Sequence, residues 1–271
     1  MIKFKTSSPA GDLMSMLPGI KKLCEDKNKR AIIYQRLDVA GIGYEGAIHP
    51  FKNEIGDEVM MNEYMLNMLK PLLESQDYIE KFEPYTGQEY DIDLDKVRMQ
   101  VFTNQPLGSI NRWIFYVYPQ MTCDLSESWI KKEEPPRDLA LFEFSDKLII
   151  NFTFRYRNTI IDYNFLKKYQ DKVVFAGLKE EKDFFCKQWG LEIDHIEINN
   201  FRELAALFAT AKGFLGNQSF CYQLAEGLKI PRILELSPVI PNVVPTGENA
   251  YDFYHQQAVE YYVDKVLNNQ I

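Results

Sequence analysis

Thr6-Ser7-Ser8-Pro9-Ala10-Gly11-Asp12-Leu13-Met14-Ser15-Met16-Leu17-Pro18 is the stretch that decides the fold. Before it, Met1 to Lys5 forms a short apolar run. After it, apolar residues recur at Leu13, Met16, Leu17, Ile20, Leu23 and Cys24, the spacing of one helix face. A strand, a small-residue loop and a helix make one α/β unit, with Asp12 at the helix entrance. In such units the carboxyl end of the strand and the amino end of the helix line the ligand crevice. A carboxylate placed there is either a cap or a working base.

The chain has 271 residues, enough for two small domains or one large one. Hydrophobic residues make up 46% and aromatics 14%, which supports a sizeable core and argues against disorder. The net charge of -8 argues against a nucleic-acid groove as the main surface. Cys24, Cys123, Cys186 and Cys221 are far apart, sit near apolar segments and form no C-x-x-C pair, as expected of free thiols in a reducing compartment. Neither a signal peptide nor an apolar run long enough to span a membrane is visible, so a cytoplasmic location is expected.

The first half reads as a Rossmann-like domain with irregular insertions. A strand at Ala31 to Leu37 precedes a glycine-rich stretch, Gly41 to Gly46, and a helix from about Asp57 to Glu74, which Pro71 bends or ends. Tyr78 to Phe82 and Tyr90 to Leu94 are candidate short strands. Ile110 to Tyr118 is aromatic and buried, as strand or helix. The charged run Lys131 to Asp138, ending around Pro135-Pro136, is the linker candidate. Beyond it, strands at Lys147 to Phe152, Lys172 to Ala176, His195 to Ile198, Gly213 to Leu215 and Arg232 to Leu236 alternate with helices, the signature of a parallel sheet covered on both faces. Ala250 to Asn268 reads as a closing helix.

A second motif is Gly216-Asn217-Gln218-Ser219-Phe220-Cys221-Tyr222-Gln223-Leu224-Ala225-Glu226-Gly227-Leu228-Lys229-Ile230-Pro231. A strand ends at Gly216 and a helix begins near Ser219. The amino end of a helix offers N–H groups and a positive dipole end to phosphate oxygens. Gly216 allows close backbone approach, and the Ser219 hydroxyl can donate. Asn217 and Ser219 as simple helix caps are the bland alternative. A third feature, Asn151-Phe152-Thr153-Phe154-Arg155-Tyr156-Arg157-Asn158, follows a strand in the same half. Arg155 and Arg157 alternate, so one guanidinium can point inward to neutralise a diphosphate; surface arginines flanking a domain edge are the alternative. Glu226 is either a ribose contact or part of a solvated helix face. Glu180 and Glu181 are further ribose candidates. Asp91, Asp93 and Asp95 alternate with Ile92 and Leu94, which fits a half-exposed strand better than a metal-binding D-x-D pair. His49, His195 and His255 are isolated, and no Walker A, G-x-G-x-x-G or G-x-S-x-G occurs.

Lys5-Thr6-Ser7-Ser8, Gly11-Asp12 and Leu17-Pro18 together resemble the opening of the heptosyltransferases that build lipopolysaccharide core, and more broadly bacterial GT-B glycosyltransferases. Here Pro9-Ala10 fills a space that is usually one residue long. Gly216 to Pro231 resembles the family's sugar-nucleotide diphosphate loop, with Gln218 in place of aspartate, Ser219 of threonine, Phe220 of glycine and Gln223 of histidine. The resemblance implies an α/β GT-B-like fold, two Rossmann-like domains facing a cleft. Residues 1–135 would form the acceptor side and 139–250 the nucleotide-sugar side, with 251–271 a helix packing back on the first domain. It implies inverting, metal-independent transfer of a sugar from a nucleoside-diphosphate sugar to a glycan or other hydroxyl acceptor, with no cofactor and with peripheral membrane contact. Asp12 would be the general base. Gly11, Arg155, Arg157, Gly216, Asn217, Gln218, Ser219, Gln223 and Glu226 would hold the donor. Three alternatives remain: an epimerase or hydrolase of sugar nucleotides on the same fold, a non-catalytic degenerate binding protein to which Phe220 points, and a transferase acting on modified DNA, which the net charge disfavours.

Overall fold

A computed structural model describes residues 1–41, 51–104, 108–133 and 144–270. Residues 42–46 of the glycine-rich stretch, His49 and most of the linker candidate lie outside the described residues. The chain divides into two compact units, Met1–Leu125 with Asn199–Arg202, and Ser126–Ile198 with Glu203–Ile271. Ser128 to Ile130 lie on the second unit, with the backbone N–H groups of Trp129 and Ile130 donating to Gly227 O.

The first unit holds a four-stranded sheet in the order β3-β2-β1-β4, all parallel. Its elements are β1 (Ile2–Thr6), α1 (Ala10–Lys27), β2 (Ala31–Gln35), α2 (Glu63–Glu74), β3 (Ile79–Pro84), β4 (Ile92–Asp93), α3 (Asp95–Asn104) and α4 (Trp113–Val117). The apolar stripe of α1 is buried as its spacing requires, with Leu13, Leu17 and Ile20 fully enclosed. Pro71 does not end α2, which starts later than expected because Asn62 caps it by accepting from Met65 N at 2.9 Å. The ambiguous Ile110 to Tyr118 stretch is helical, a 3-10 turn at Ile110–Arg112 leading into α4.

The second unit holds a six-stranded sheet in the order β10-β9-β8-β5-β6-β7, again all parallel. Its elements are β5 (Leu148–Asn151), β6 (Val173–Ala176), α5 (Lys179–Trp189), β7 (Asp194–Ile196), α6 (Phe201–Thr210), β8 (Gly213–Asn217), α7 (Phe220–Leu228), β9 (Arg232–Glu235), β10 (Ala250–Phe253) and α8 (Gln256–Leu267). Counted within the unit, this is the doubly wound order 3-2-1-4-5-6, whose direction of winding reverses between β5 and β8. In the first unit it reverses between β1 and β4. One expectation is corrected here: Ala250 to Phe253 is a sixth strand on β9, and only Gln256 onward is helical. The apolar face of α8, Val259, Val263, Val266 and Leu267, is seated in the core of the second unit with Leu148, Ile150 and Phe253.

Candidate functional site

In the second unit the reversal point is built by β5, β6 and β8. All four residues of β5 and all four of β6 are buried, so only their carboxyl-terminal ends reach polar chemistry. Asn151 ends β5. Its Nδ2 donates to Ala176 O at 2.8 Å, and its Oδ1 accepts from Ser219 Oγ at 2.9 Å. Ser219 caps α7, accepting from Tyr222 N at 3.3 Å. Gly216 faces Asn151 across the strands, and a Cβ there would collide with Asn151 O and the Phe214 ring. This glycine therefore serves the close packing of β8 on β5. Gly177, at φ +153°, makes similar room beside Asn151 Nδ2.

Asn217 clips the loop that follows β5. Its Oδ1 accepts from Thr153 N at 3.0 Å, and its Nδ2 donates to Arg155 O at 2.6 Å. Tyr156 then takes φ +59°, a left-handed conformation uncommon for a bulky residue. The segment is thus bent and not extended, which separates the two arginines. Arg157 turns onto Glu235, at 2.9 Å from Nε, and its guanidinium lies 4.5 Å from the centre of the Phe152 ring. Glu235 is fully buried and also accepts from Asn158 N and Tyr163 OH. Arg155 is half-buried and lies within electrostatic range of Glu181.

Glu181, in the first turn of α5, is buried and accepts from Leu178 N at 3.4 Å. Burial pushes its carboxyl up to about 7, against the opposing pull of the Leu178 N–H and the Arg155 charge. Glu226 is the opposite case. Burial would raise its pKa, but Arg232 and Lys229 override this and hold it below the ordinary carboxylate range. Its Oε1 accepts from Lys229 Nζ at 2.5 Å and Thr246 Oγ1 at 2.6 Å. Its Oε2 accepts from Arg232 Nε at 2.5 Å and Tyr222 OH at 3.2 Å.

In the first unit Asp12 sits in the first turn of α1, whose N-cap, Pro9, offers no side-chain bond. Asp12 does not take over that role. Its Oδ2 pairs with Arg98 Nη1 at 3.0 Å, and both side chains keep some exposure, 24% and 18%. Asp91, Asp93 and Asp95 each grip β1 or its loop. Lys3 N donates to Asp91 at 2.8 Å, Lys5 Nζ donates to Asp93 at 2.8 Å, and Ser7 Oγ donates to Asp95 at 2.9 Å. Burial disfavours the Lys5 charge, yet Asp93 and Asp95 more than offset it and raise its pKa. Only Ile92–Asp93 of this stretch is strand; Asp91 and Asp93 hold β1, and Asp95, the first residue of α3, holds the loop after it.

No family model and no curated protein matches the sequence. Solved structures do match, over nearly the whole chain. The glycosyl transferase family 9 structure from Veillonella parvula DSM 2008 aligns with TM-score 0.61 at 12% identity, covering 99% of this chain and 97% of that one. E. coli heptosyltransferase WaaC with ADP gives 0.58 at 10% identity, over 98% and 99%. E. coli ADP-heptose lps heptosyltransferase II gives 0.57 at 13%, over 99% of both. The chain has the GT-B fold. Within this GT-B chain no helix of the described residues is long and apolar enough to cross a membrane, and none of the four cysteines is in a disulfide.

Among the residues singled out from sequence, the structure gathers Gly216, Asn217 and Ser219 with Arg155 around one reversal point, and places Gly11 and Asp12 at the other unit's first helix. Gln218 lies beside this group, but its amide is engaged, donating to Asn242 Oδ1 at 2.8 Å and accepting from Ser237 N at 3.3 Å. Gln223, in the first helical turn, is buried with its Oε1 unpartnered among the described residues. Arg157 and Glu226 each pair with a fully buried charged side chain, Glu235 and Arg232 respectively. His195 is also engaged, with Nε2 2.9 Å from Gly177 O. The sequence reading missed Asn151 and Arg98. The first is signalled by an amide closing an otherwise apolar strand, Leu148-Ile149-Ile150-Asn151. Arg98 lies far from Asp12 in sequence and carries no local signal.

Proposed function

We propose that this chain is an inverting glycosyltransferase that moves a sugar from a nucleoside-diphosphate sugar to an acceptor hydroxyl without a metal. One observation carries the reading. The reversal points of the two sheets carry complementary chemistry, a partly exposed carboxylate in the first unit and a capped helix amino end with a half-buried arginine in the second. The GT-B likeness supports it, and the relatives' complexes with ADP and ADP-2-deoxy-2-fluoro heptose make an ADP-sugar the first donor to try.

In this reading Asp12 takes the acceptor hydroxyl's proton as the oxygen attacks the anomeric carbon. The bond from that carbon to the diphosphate breaks with inversion. The negative charge gathering on the leaving diphosphate is met by the α7 amino end and Arg155. Glu181 replaces Glu226 as the ribose contact, because its carboxylate has few internal partners. Gln223 Oε1 accepts a donor hydroxyl. The acceptor, a glycan or another hydroxyl compound, meets the first unit, and the reaction belongs on the cytoplasmic side, with peripheral membrane contact.

A second reading, a sugar-nucleotide-binding protein without turnover, is favoured by Gln218, whose amide is tied to Asn242 and Ser237 where the resembled family carries an aspartate. One experiment separates the two. A thermal-shift series of ADP-, UDP-, GDP- and CDP-sugars should show stabilisation by one nucleotide class. Asp12→Asn should keep that stabilisation and lose sugar transfer by about 100- to 10,000-fold. No shift with any nucleotide would refute both readings, and full transfer by Asp12→Asn would refute the role of Asp12.

A further inference from the structure

The first turn of α3 carries two side chains with opposite charges, Asp95 and Arg98, three residues apart on one helix face. Both reach the β1–α1 loop. Asp95 accepts from Ser7 Oγ at 2.9 Å and from Ser7 N at 2.5 Å, which fixes the start of the loop where it leaves β1. Arg98 pairs with Asp12 at 3.0 Å, which fixes its end where α1 begins. The charge on Asp95 is balanced by Lys5, 3.3 Å away. Met60 Sδ lies 3.7 Å from the same Nη1 and limits its swing. Asp12 Oδ1, by contrast, accepts no hydrogen bond from the described residues.

We infer that Arg98 is the positioning residue of the general base: it holds Asp12 by Oδ2 so that Oδ1 is presented to the acceptor hydroxyl, while Asp95 anchors Ser7 in the loop that leads into α1. The inference rests on Asp12 being the base. The D-x-D pattern then has a job without a metal, since it fixes the strand and loop on which the base stands. Arg98 touches no reacting atom. It acts by keeping one oxygen occupied and the other in place, and a reactive group displaced by about 1 Å loses roughly 100-fold in rate.

The test uses the whole chain, with ADP release from ADP-heptose, water serving as acceptor, as the probe reaction. Arg98→Met should lower kcat by about 100-fold, leave the KM for ADP-heptose within about twofold of wild type, and keep the melting temperature. Arg98→Lys, which retains one donor for Oδ2, should recover most of the rate. In the double variant with Asp12→Asn, Arg98→Met should cost nothing further, because there is no longer a charged base to hold. Arg98→Met turning over at the wild-type rate while Asp12→Asn is inactive would overturn the positioning role alone. Asp12→Asn turning over at the wild-type rate would overturn the underlying reading as well. Equal losses in rate, donor KM and melting temperature for both Arg98 variants would make Arg98 a structural residue and also overturn the inference.

Discussion

Replacing Glu181 by glutamine should remove a pH dependence from the stability of the second unit. Glu181 is buried at the amino end of α5, and burial holds its carboxyl at about 7 where an unfolded chain would have 4.5. That gap is worth about 3 kcal/mol. The sign follows from which form the fold prefers. The folded chain favours the protonated acid, so the contribution is fully present below pH 4.5 and is lost as pH rises through about 7. Glutamine keeps an oxygen for Leu178 N and never ionises. Urea unfolding followed by tryptophan fluorescence at pH 5, 6, 7 and 8 gives both stabilities, and other titrating groups cancel in the difference. The variant should gain on the wild type as pH rises, by up to about 1.4 kcal/mol per pH unit at the steepest point. A difference that stays flat to within about 0.5 kcal/mol across this range would refute the argument that burial governs this carboxyl.

Two further substitutions test the packing around the reversal point. Gly216→Ala should cost about 3 kcal/mol or more, since the new methyl meets the Asn151 carbonyl and the Phe214 ring; a melting curve close to wild type would show that β8 can move off β5. Glu226→Gln should cost about 3 to 5 kcal/mol because it leaves the fully buried Arg232 unpaired, while nucleotide affinity measured by calorimetry stays unchanged. Weaker nucleotide binding without loss of stability would return Glu226 to the ribose role.

Alternation between apolar runs and helical spacing revealed the parallel sheets, because buried parallel strands such as Leu148-Ile149-Ile150 and Val173-Val174-Phe175-Ala176 must be apolar on both faces. β10 escaped because an edge strand has one neighbour and Ala250-Tyr251-Asp252-Phe253 carries no buried run. The loop motifs were legible as positions but not as roles. Glu226 has the same local sequence whether it faces solvent or a buried arginine, and only the return of β9 brings Arg232 to it. Arg157 is likewise captured by Glu235, 78 residues later, after the left-handed turn at Tyr156 directs it away from Arg155.

The two units solve one geometric problem with different charges. Where winding reverses, the loops leaving the first and fourth strands turn in opposite directions, and a backbone N–H after the first strand loses its ladder partner. In the first unit Asp95, just past β4, accepts the N–H of Ser7. In the second, Asn217, ending β8, accepts the N–H of Thr153. An acid suffices in the first unit because Lys5 stands beside it. In the second the neutral amide also donates to Arg155 O, which a carboxylate could not do. The amide therefore closes the loop without placing a negative charge beside the α7 amino end, where a diphosphate would have to bind. The choice of asparagine at one reversal point and aspartate at the other fits the base proposed for the first unit and the anion proposed for the second.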